Sequence, residues 1–325
     1  MLTLLQLNST LVLKIITNLS NYKSTKKTFV TLGTFDGVHI GHQKVIKNLV
    51  ESSKLNNATS VLVTFFPHPR MVLQKNADIK LINTIEERIQ LLEKTGLEIL
   101  VIYEFTETFA KQTAEEFVKT ILVDKLNVAK LVIGYDHQFG KNRDGSFEQL
   151  KALGKEANFE VEKISQQDID NAAVSSTTIR NAIENGKIKK ANNYLGQNYL
   201  LTGKVVKGRN LGEQIGFPTA NLHIKEAYKL LPKTGAYVVK SEIDNIPVFG
   251  MMNIGYRPTV SGKNQTIEIH FFDFKKNLYN ETIQVEMLQF LREEQKFDSV
   301  DTLKKQLQKD KENSLEIING LLLDL

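Results

Sequence analysis

One ten-residue stretch of this chain places glycine, carboxylate and imidazole at spacings suited to phosphate chemistry: Gly33–His42, reading GTFDGVHIGH. Gly33 and Gly37 stand ahead of a helix start, and His39 and His42 follow about one turn apart. A helix N-terminus offers unpaired N–H groups and partial positive charge, both favourable to phosphate. Glycine lets a backbone approach such a group closely. Two imidazoles there can donate hydrogen bonds to the oxygens of a phosphoryl or nucleotidyl group in transfer. Taken alone, His-x-x-His would equally suit a first-turn surface pair or two metal ligands; the strand before it and the Gly-x-Phe-Asp-Gly setting favour phosphate. No Walker A pattern occurs, which excludes a P-loop protein.

Other candidates are spread along the chain. His68 is held between Pro67 and Pro69, either as a rigid turn or as a ligand contact. Asp136 and Phe139 lie in a glycine-bounded loop that could wall an adenine or ribose, or be an ordinary turn. Ser175-Ser176-Thr177-Thr178 puts hydroxyls and N–H groups at a helix start with Arg180 one turn on, an anion cradle or simple N-capping. Further along, Gly203–Asn221 reads GKVVKGRNLGEQIGFPTAN, with glycines at 203, 208, 212 and 216 beside Lys204, Lys207 and Arg209. Its end, Gly216-Phe217-Pro218-Thr219-Ala220-Asn221, sets a hydroxyl and a carboxamide two residues apart on an extended segment, hence on one face. Those hard oxygen ligands suit Mg²⁺ and phosphate, although a glycine-rich hairpin would have the same composition. Glu268 alternates with Ile267 and Ile269, so its carboxylate faces away from them and could accept a proton from a hydroxyl.

The elements that must carry these residues change character midway. Thr28–Leu32, Ser60–Phe66, Glu98–Tyr103, Lys130–Gly134 and Phe159–Ile164 read as strands. They alternate with helical patterns after Gly33 and over Thr84–Lys94, Thr113–Asp124 and Ser146–Ala157. Such alternation predicts a parallel sheet with crossover helices. Ligands then bind beyond the carboxyl ends of the strands, where the loops after Gly33, Pro67 and Gly134 gather. After about Gly186 come a basic run, Lys187–Lys190, and a polar one, Asn192–Asn198, which read as a linker. Tyr199–Val206, Ala236–Ile243, Val248–Ile254, Thr266–Phe272 and Thr282–Phe290 follow with hairpin-like punctuation, including a tight turn at Asp244-Asn245. These predict an antiparallel sheet or barrel, closed by a helix at Val300–Asn319. The expected domains are 14–186 and 199–325 with a linker at 187–198.

Composition sets outer limits. The chain has 325 residues, 41% hydrophobic and 24% charged, which suits two ordinary globular domains. It contains no cysteine, which rules out disulfides, thiolate metal sites and a cysteine nucleophile. A net charge of +5 and a pI near 9.0 fit anionic small molecules as well as nucleic acid. Leu2–Leu13 is apolar but interrupted by Asn8, Ser9 and Thr10, has no basic n-region and is too short to span a membrane. The segment before Lys14 reads as a weak strand or, preferably, an over-extended start, and a soluble cytoplasmic enzyme is expected, with no nucleic-acid or membrane partner.

The motifs together resemble a known family. GTFDGVHIGH is similar to the signature of nucleotidylyltransferases, and more narrowly to the N-terminal module of the bacterial bifunctional riboflavin kinases/FAD synthetases. Pro67-His68-Pro69, Gly134–Gly140 with Lys141–Gly145, and Ser175–Arg180 fit that family in order. The second half resembles its riboflavin kinase module, a six-stranded barrel, through Gly203–Asn221, Gly235–Val239, Asn253–Val260, Ile267–Phe274 and Phe290–Phe297. The resemblance covers about Lys14 to the C-terminus. It implies a Rossmann-like α/β adenylyltransferase domain followed by the kinase barrel and its C-terminal helix. It implies that riboflavin is phosphorylated to FMN and FMN adenylylated to FAD, with ATP as donor and Mg²⁺ alongside it.

The residue roles carried over are these. Gly33, Phe35, Asp36, Gly37, Gly41, Asp136, Ser175, Ser176, Thr177 and Arg180 would hold ATP in the first module, where His39 and His42 act on the phosphate. Gly203, Lys207, Gly208, Gly216 and Pro218 would hold ATP in the second, with Thr219 and Asn221 on the metal and Glu268 as base. His68, Phe139 and Arg257 would contact flavin. Two positions depart from the pattern: His137 stands where the family often has an aromatic, and Glu213 where it often has Arg. An alternative is a single-activity nucleotidylyltransferase with a regulatory flavin-binding barrel; the presence of Glu268 and Pro218–Asn221 argues against it.

Overall fold

The computed structural model describes residues 12–74, 78–134, 146–164, 174–208, 211–259 and 262–323. Most of the apolar N-terminal segment, the loop with Asp136, His137 and Phe139, and Arg209 lie outside the described residues. The chain divides into two compact units, Met1–Ile79 with Arg88–Val174, and Lys80–Glu87 with Ser175–Leu325.

The first unit is built on β1 (Lys14–Ile16), β2 (Thr28–Leu32), β3 (Thr59–Phe66), β4 (Ile99–Glu104), β5 (Val128–Ile133) and β6 (Glu160–Lys163). They form one sheet in the order β1-β4-β3-β2-β5-β6, every neighbouring pair parallel. All five residues of β2 are buried, as a central strand covered on both faces requires. The helices are α1 (Ile40–Leu55), α2 (Pro69–Leu73), α3 (Ile85–Glu93), α4 (Ala114–Phe117) and α5 (Phe147–Glu156). Val45, Ile46, Leu49 and Val50 form the buried face of α1, as their spacing predicts. Thr113 and Glu116 form a capping box, but only one turn of α-helix follows before a π-helical stretch at Val118–Val123. Successive strands from β2 to β4 step to one side, and β5 returns to the other side of β2. The carboxyl end of β2 therefore opens at the topological switch point, where open α/β sheets leave a crevice.

The second unit is a closed barrel. Its strands are β7 (Tyr199–Val206), β8 (Ala220–His223), β9 (Gly235–Ile243), β10 (Ile246–Thr259), β11 (Gly262–Phe271) and β12 (Thr282–Glu293), in the order β10-β11-β8-β7-β12-β9. All six pairings are antiparallel, and closure removes the exposed edges an open sheet would have. Asp244 and Asn245 take φ of 53° and 63° in the β9–β10 hairpin, the left-handed pair a two-residue turn needs. Tyr199, Leu201, Val205, Tyr237, Val239, Ile254, Ile267 and Ile269 are buried by alternation on the inner face. The helices are α6 (Ser176–Glu184), α7 (Ile188–Leu195), α8 (Leu211–Gln214) and α9 (Val300–Leu323). Ile318 of α9 packs with Phe217, Val238, Met251, Phe272 and Leu288 on the outer face of the barrel.

Residues 187–198, read from sequence as a linker, carry α7. Ile188, Ala191 and Leu195 recur at i, i+3 and i+7 and are buried, and Gly196 stops the helix at φ 71°. The polar run that suggested a linker is tied down. Asn192 Nδ2 donates to Met287 O at 2.8 Å and Asn192 Oδ1 accepts from Tyr199 N at 2.9 Å, while Asn198 Nδ2 donates to Glu286 Oε2 at 2.8 Å.

The segment Lys80–Glu87 completes the second unit from a distance in sequence. Leu81 forms a parallel bridge with Lys229, whose Nζ is buried, donates to Ile82 O at 2.6 Å and pairs with Glu87 Oε2 at 2.5 Å. Glu87 also accepts from Thr202 N at 3.0 Å and from Thr84 N at 3.1 Å. Glu87 N in turn donates to Thr84 Oγ1 at 3.1 Å, which completes a capping box for α3.

Candidate active sites

In the first unit the chain leaves β2 and turns sharply. Phe35, Gly37 and Val38 take φ of 47°, 91° and 41°. A left-handed conformation is rare for a β-branched residue, so Val38 stores strain that its surroundings must hold. Val38 N donates to Phe35 O at 3.1 Å and Gln43 Nε2 donates to Val38 O at 2.8 Å, which fixes the turn from both ends. Gly33 needs its missing side chain: a Cβ there would stand 3.0 Å from the Phe35 ring.

His39 is the N-cap of α1, its Nδ1 accepting from His42 N at 3.3 Å. A nitrogen that accepts carries no proton, so neutral His39 bears its hydrogen on Nε2, from which it can donate to a ligand. His42 stacks on His39 with ring centroids 3.5 Å apart and leans on Phe35 at 4.9 Å. Burial, and then the electrostatic influence of neighbouring His39 and Arg88, hold His42 well below the usual imidazole range. Its Nδ1 is shut off from solvent with no hydrogen-bond partner among the described residues. The pair thus presents polar imidazoles of low charge at a helix N-terminus, beside buried Asp36 and Gly41.

His68, at the carboxyl end of β3, caps α2 by accepting from Arg70 N at 3.2 Å. Ser175 caps α6, accepting from Thr178 N at 3.1 Å, with the two hydroxyls 2.9 Å apart. Ser176, Thr177 and Arg180 follow in α6, within the second compact unit.

The second unit brings Asn221 and Glu268 together. They are directly paired across β8 and β11, and Asn253 of β10 is paired with Glu268 on its other side. Paired residues share a face. Since Ile267 and Ile269 are buried inside the barrel, this polar row lies outside, on the face where Met251 and Val238 meet α9. Gly208 abuts the row: a Cβ there would stand 2.2 Å from Asn221 Nδ2. Gly216 takes φ 86°, and a Cβ on Gly212 would stand 3.5 Å from Thr219 Cγ2. Lys207 is exposed. Arg257 lies on β10 opposite Asn264. Gly203 sits within β7, where a Cβ would meet His223 O at 2.7 Å and Leu222 Cγ at 2.9 Å. Close packing of β7 on β8 accounts for that glycine.

Sequence reasoning missed His270. Its Nδ1 donates to Pro218 O at 2.8 Å, and its ring packs edge-on against Phe217 at 5.3 Å, so it fastens the segment that carries Thr219. Burial lowers its pKa, the Pro218 hydrogen bond opposing in part. The signal was present, since Glu268 and His270 are two apart on one strand. Asn253, Thr64 and Arg88 were missed as well.

The family model described as FAD synthetase matches residues 21–178, and that described as riboflavin kinase matches residues 195–318. A bifunctional riboflavin kinase/FMN adenylyltransferase of Haemophilus influenzae is 38% identical over 90% of this chain and 94% of its own. One of Bacillus subtilis is 36% identical over 91% of this chain and 94% of its own. This chain belongs to the bifunctional riboflavin kinase/FMN adenylyltransferase family. A solved Streptococcus pneumoniae structure described as a macrolide-efflux protein shares the family's two-part fold with this chain, with a TM-score of 0.83, 32% identity, and coverage of 93% of this chain and 98% of that one. Among the described residues no helix is long and apolar enough to cross a membrane. For this family the parallel sheet and the closed barrel are the two expected folds, and both are present.

Proposed function

We propose that this enzyme makes FAD in two steps on two folds, phosphorylating riboflavin on the barrel and adenylylating FMN at the carboxyl edge of the parallel sheet. The observation that carries the reading is that two separate sets of chemistry-bearing side chains occur, the His39–His42 pair and the Asn221–Glu268 pair, each within its own matched family model. We assign adenylyl transfer to 14–186 and phosphorylation to 199–325, and place the enzyme in the cytoplasm, where ATP is supplied.

On the barrel, Glu268 accepts the proton of the riboflavin 5′-hydroxyl while that oxygen takes the γ-phosphoryl group of ATP, and ADP leaves. Asn221 and Thr219 orient the phosphates, Gly208, Gly216 and Lys207 shape their approach, and Arg257 contacts the flavin. The donor set fits Mg²⁺: neutral oxygens next to one carboxylate suit an ion that keeps most of its water and is shared with phosphates. Among the described residues no group of three or more acidic or imidazole side chains could hold a metal by itself. When bound, Mg²⁺ supplies charge neutralisation for the β- and γ-phosphates.

On the sheet, an oxygen of the FMN phosphate attacks the α-phosphorus of ATP and pyrophosphate leaves, with no covalent enzyme intermediate. His39 Nε2–H and His42 donate to the charge that builds on the α-phosphate oxygens. Neutral imidazoles suit this role, since they act as donors without requiring proton release. The Gly33–Gly41 backbone lets the phosphates reach the α1 N-terminus. His68 contacts the flavin.

Incubation of the full chain with riboflavin, ATP and MgCl₂, followed by chromatographic separation, tests the reading. FMN should appear first and FAD second, with one pyrophosphate per FAD. FMN that accumulates without conversion, in the presence of excess ATP, would refute the two-step assignment.

A further inference from the structure

Arg88 lies on α3, and its side chain is 1% exposed. A buried guanidinium is held there only if its charge is answered. Asp36 of the Gly33–His42 turn faces that charge, and Thr64 of β3 ties one of its N–H groups to the same turn. Arg88 Nη2 stands 3.8 Å from Asp36 Oδ1, a carboxylate that is itself 1% exposed. Arg88 Nη1 donates to Thr64 Oγ1 at 3.3 Å, and that hydroxyl donates to Thr34 O at 3.1 Å. One fork of the guanidinium therefore reaches Asp36 and the other reaches Thr34 through Thr64. These two residues flank Phe35, which is left-handed at φ 47° and whose ring leans on His42 at 4.9 Å.

We infer that Arg88 is a positioning residue for adenylyl transfer, clamping both sides of Phe35 from behind so that the stacked His39–His42 pair faces the nucleotide. The inference rests on the assignment of the Gly33–His42 loop given above. Arg88 touches no reacting atom; it acts through Asp36, Thr34 and Phe35. A turn with left-handed Phe35 and Val38 relaxes unless held, and relaxation of Phe35 carries His42 with it. The same cation also discourages protonation of His42, which keeps the imidazole in the neutral form the reaction uses. A lysine at this position would bring the charge but not the planar fork that reaches two partners at once.

The test uses the full chain and measures FMN adenylylation and riboflavin phosphorylation on the same preparation, for Arg88→Met and Arg88→Lys. Misplacing a reacting group by about 1 Å costs about a hundredfold in rate. Arg88→Met should therefore lose about a hundredfold in kcat for adenylylation while KM for ATP stays within threefold, and phosphorylation should stay within twofold. Arg88→Lys should recover about a tenfold part of the loss. Adenylylation by Arg88→Met within threefold of wild type overturns the inference. So does a wild-type kcat in Arg88→Lys, which would make the fork irrelevant. If Arg88→Met loses both activities through misfolding, Arg88→Lys decides alone: a kcat about tenfold below wild type supports the clamp, and a wild-type kcat removes it. A wild-type chain that forms no FAD from FMN would instead refute the loop's assignment.

Discussion

Gly208→Ala adds one methyl group, and the structure says where it goes. Gly208 does not use a left-handed φ, so alanine meets no backbone penalty there. The new Cβ would stand 2.2 Å from Asn221 Nδ2, 2.7 Å from Cγ and 2.9 Å from Oδ1. To reach the 3.4 Å at which ordinary contact begins, the amide must retreat by about 1.2 Å. It is the far end of a flexible side chain, so the fold tolerates the move, but Asn221 then leaves its place opposite Glu268. A displacement of about 1 Å costs about a hundredfold in rate, or about 2.7 kcal/mol of transition-state stabilisation. Riboflavin phosphorylation should fall by that factor, FMN adenylylation should stay at its wild-type rate, and the melting temperature should move little. A double-mutant cycle isolates the cause. In an Asn221→Ala background no amide remains to displace, so adding Gly208→Ala should cost less than threefold more. Phosphorylation within threefold of wild type in the single variant Gly208→Ala would refute the reasoning. A further hundredfold loss when Gly208→Ala is added to Asn221→Ala would also refute it.

Glu268→Gln removes the base and should cut phosphorylation by about a thousandfold while FMN supplied directly is still converted to FAD, as chromatography of the two reactions would show. His42→Gln should do the reverse, lowering adenylylation by about a hundredfold and leaving phosphorylation unchanged. Lys229→Met leaves Glu87 buried without its cation and should destabilise the second unit by about 3–5 kcal/mol in urea denaturation, most of it recovered in Lys229→Met/Glu87→Gln. The depressed pKa of His42, set by burial, His39 and Arg88, makes stability pH-dependent. Between its folded pKa and the ordinary 6.5 the unfolded chain binds a proton that the folded one does not, so stability is full above about 6.5 and falls as pH drops below it. His270 adds to the slope in the same sense. Melting curves across this range should show a shallower acid fall in His42→Gln than in wild type.

How much of this was legible in the sequence depended on whether the signal was local. The strand at Thr28–Leu32, the capping box at Thr113 and Glu116 and the turn at Asp244-Asn245 follow from neighbouring residues, and the structure has them where the spacing put them. The alternation around Glu268 placed its carboxylate on the face opposite Ile267 and Ile269, because a strand has a period of two. What failed was composition used as a stand-in for structure. Asn192 and Asn198 looked like a linker because amides are common in loops, yet their partners, Met287 and Glu286, lie some ninety residues away. β1 was missed because three residues carry no period, and its pairing with β4 is what makes it a strand. Arg88 and Thr64 were invisible for the same reason: an arginine within TIEERIQLLEK reads as a solvent-facing helix charge until Asp36 is seen against it. Gly203 shows a further limit, since a glycine needed for strand packing and one needed for a phosphate look alike in sequence.

The segment Lys80–Glu87 bears on how the gene can be cut. The riboflavin kinase match begins at residue 195, yet the carboxylate that neutralises buried Lys229 is encoded more than a hundred residues upstream, within the FAD synthetase match. A fragment trimmed to the kinase match inherits the ammonium without its counter-ion, together with a Thr202 amide and a Leu81 bridge that have lost their other halves. The two activities are written one after the other, but the second unit draws a segment from within the first match. Shuffling, fusion or transplantation of the barrel should carry either Glu87 and its flanking segment or a neutral replacement for Lys229.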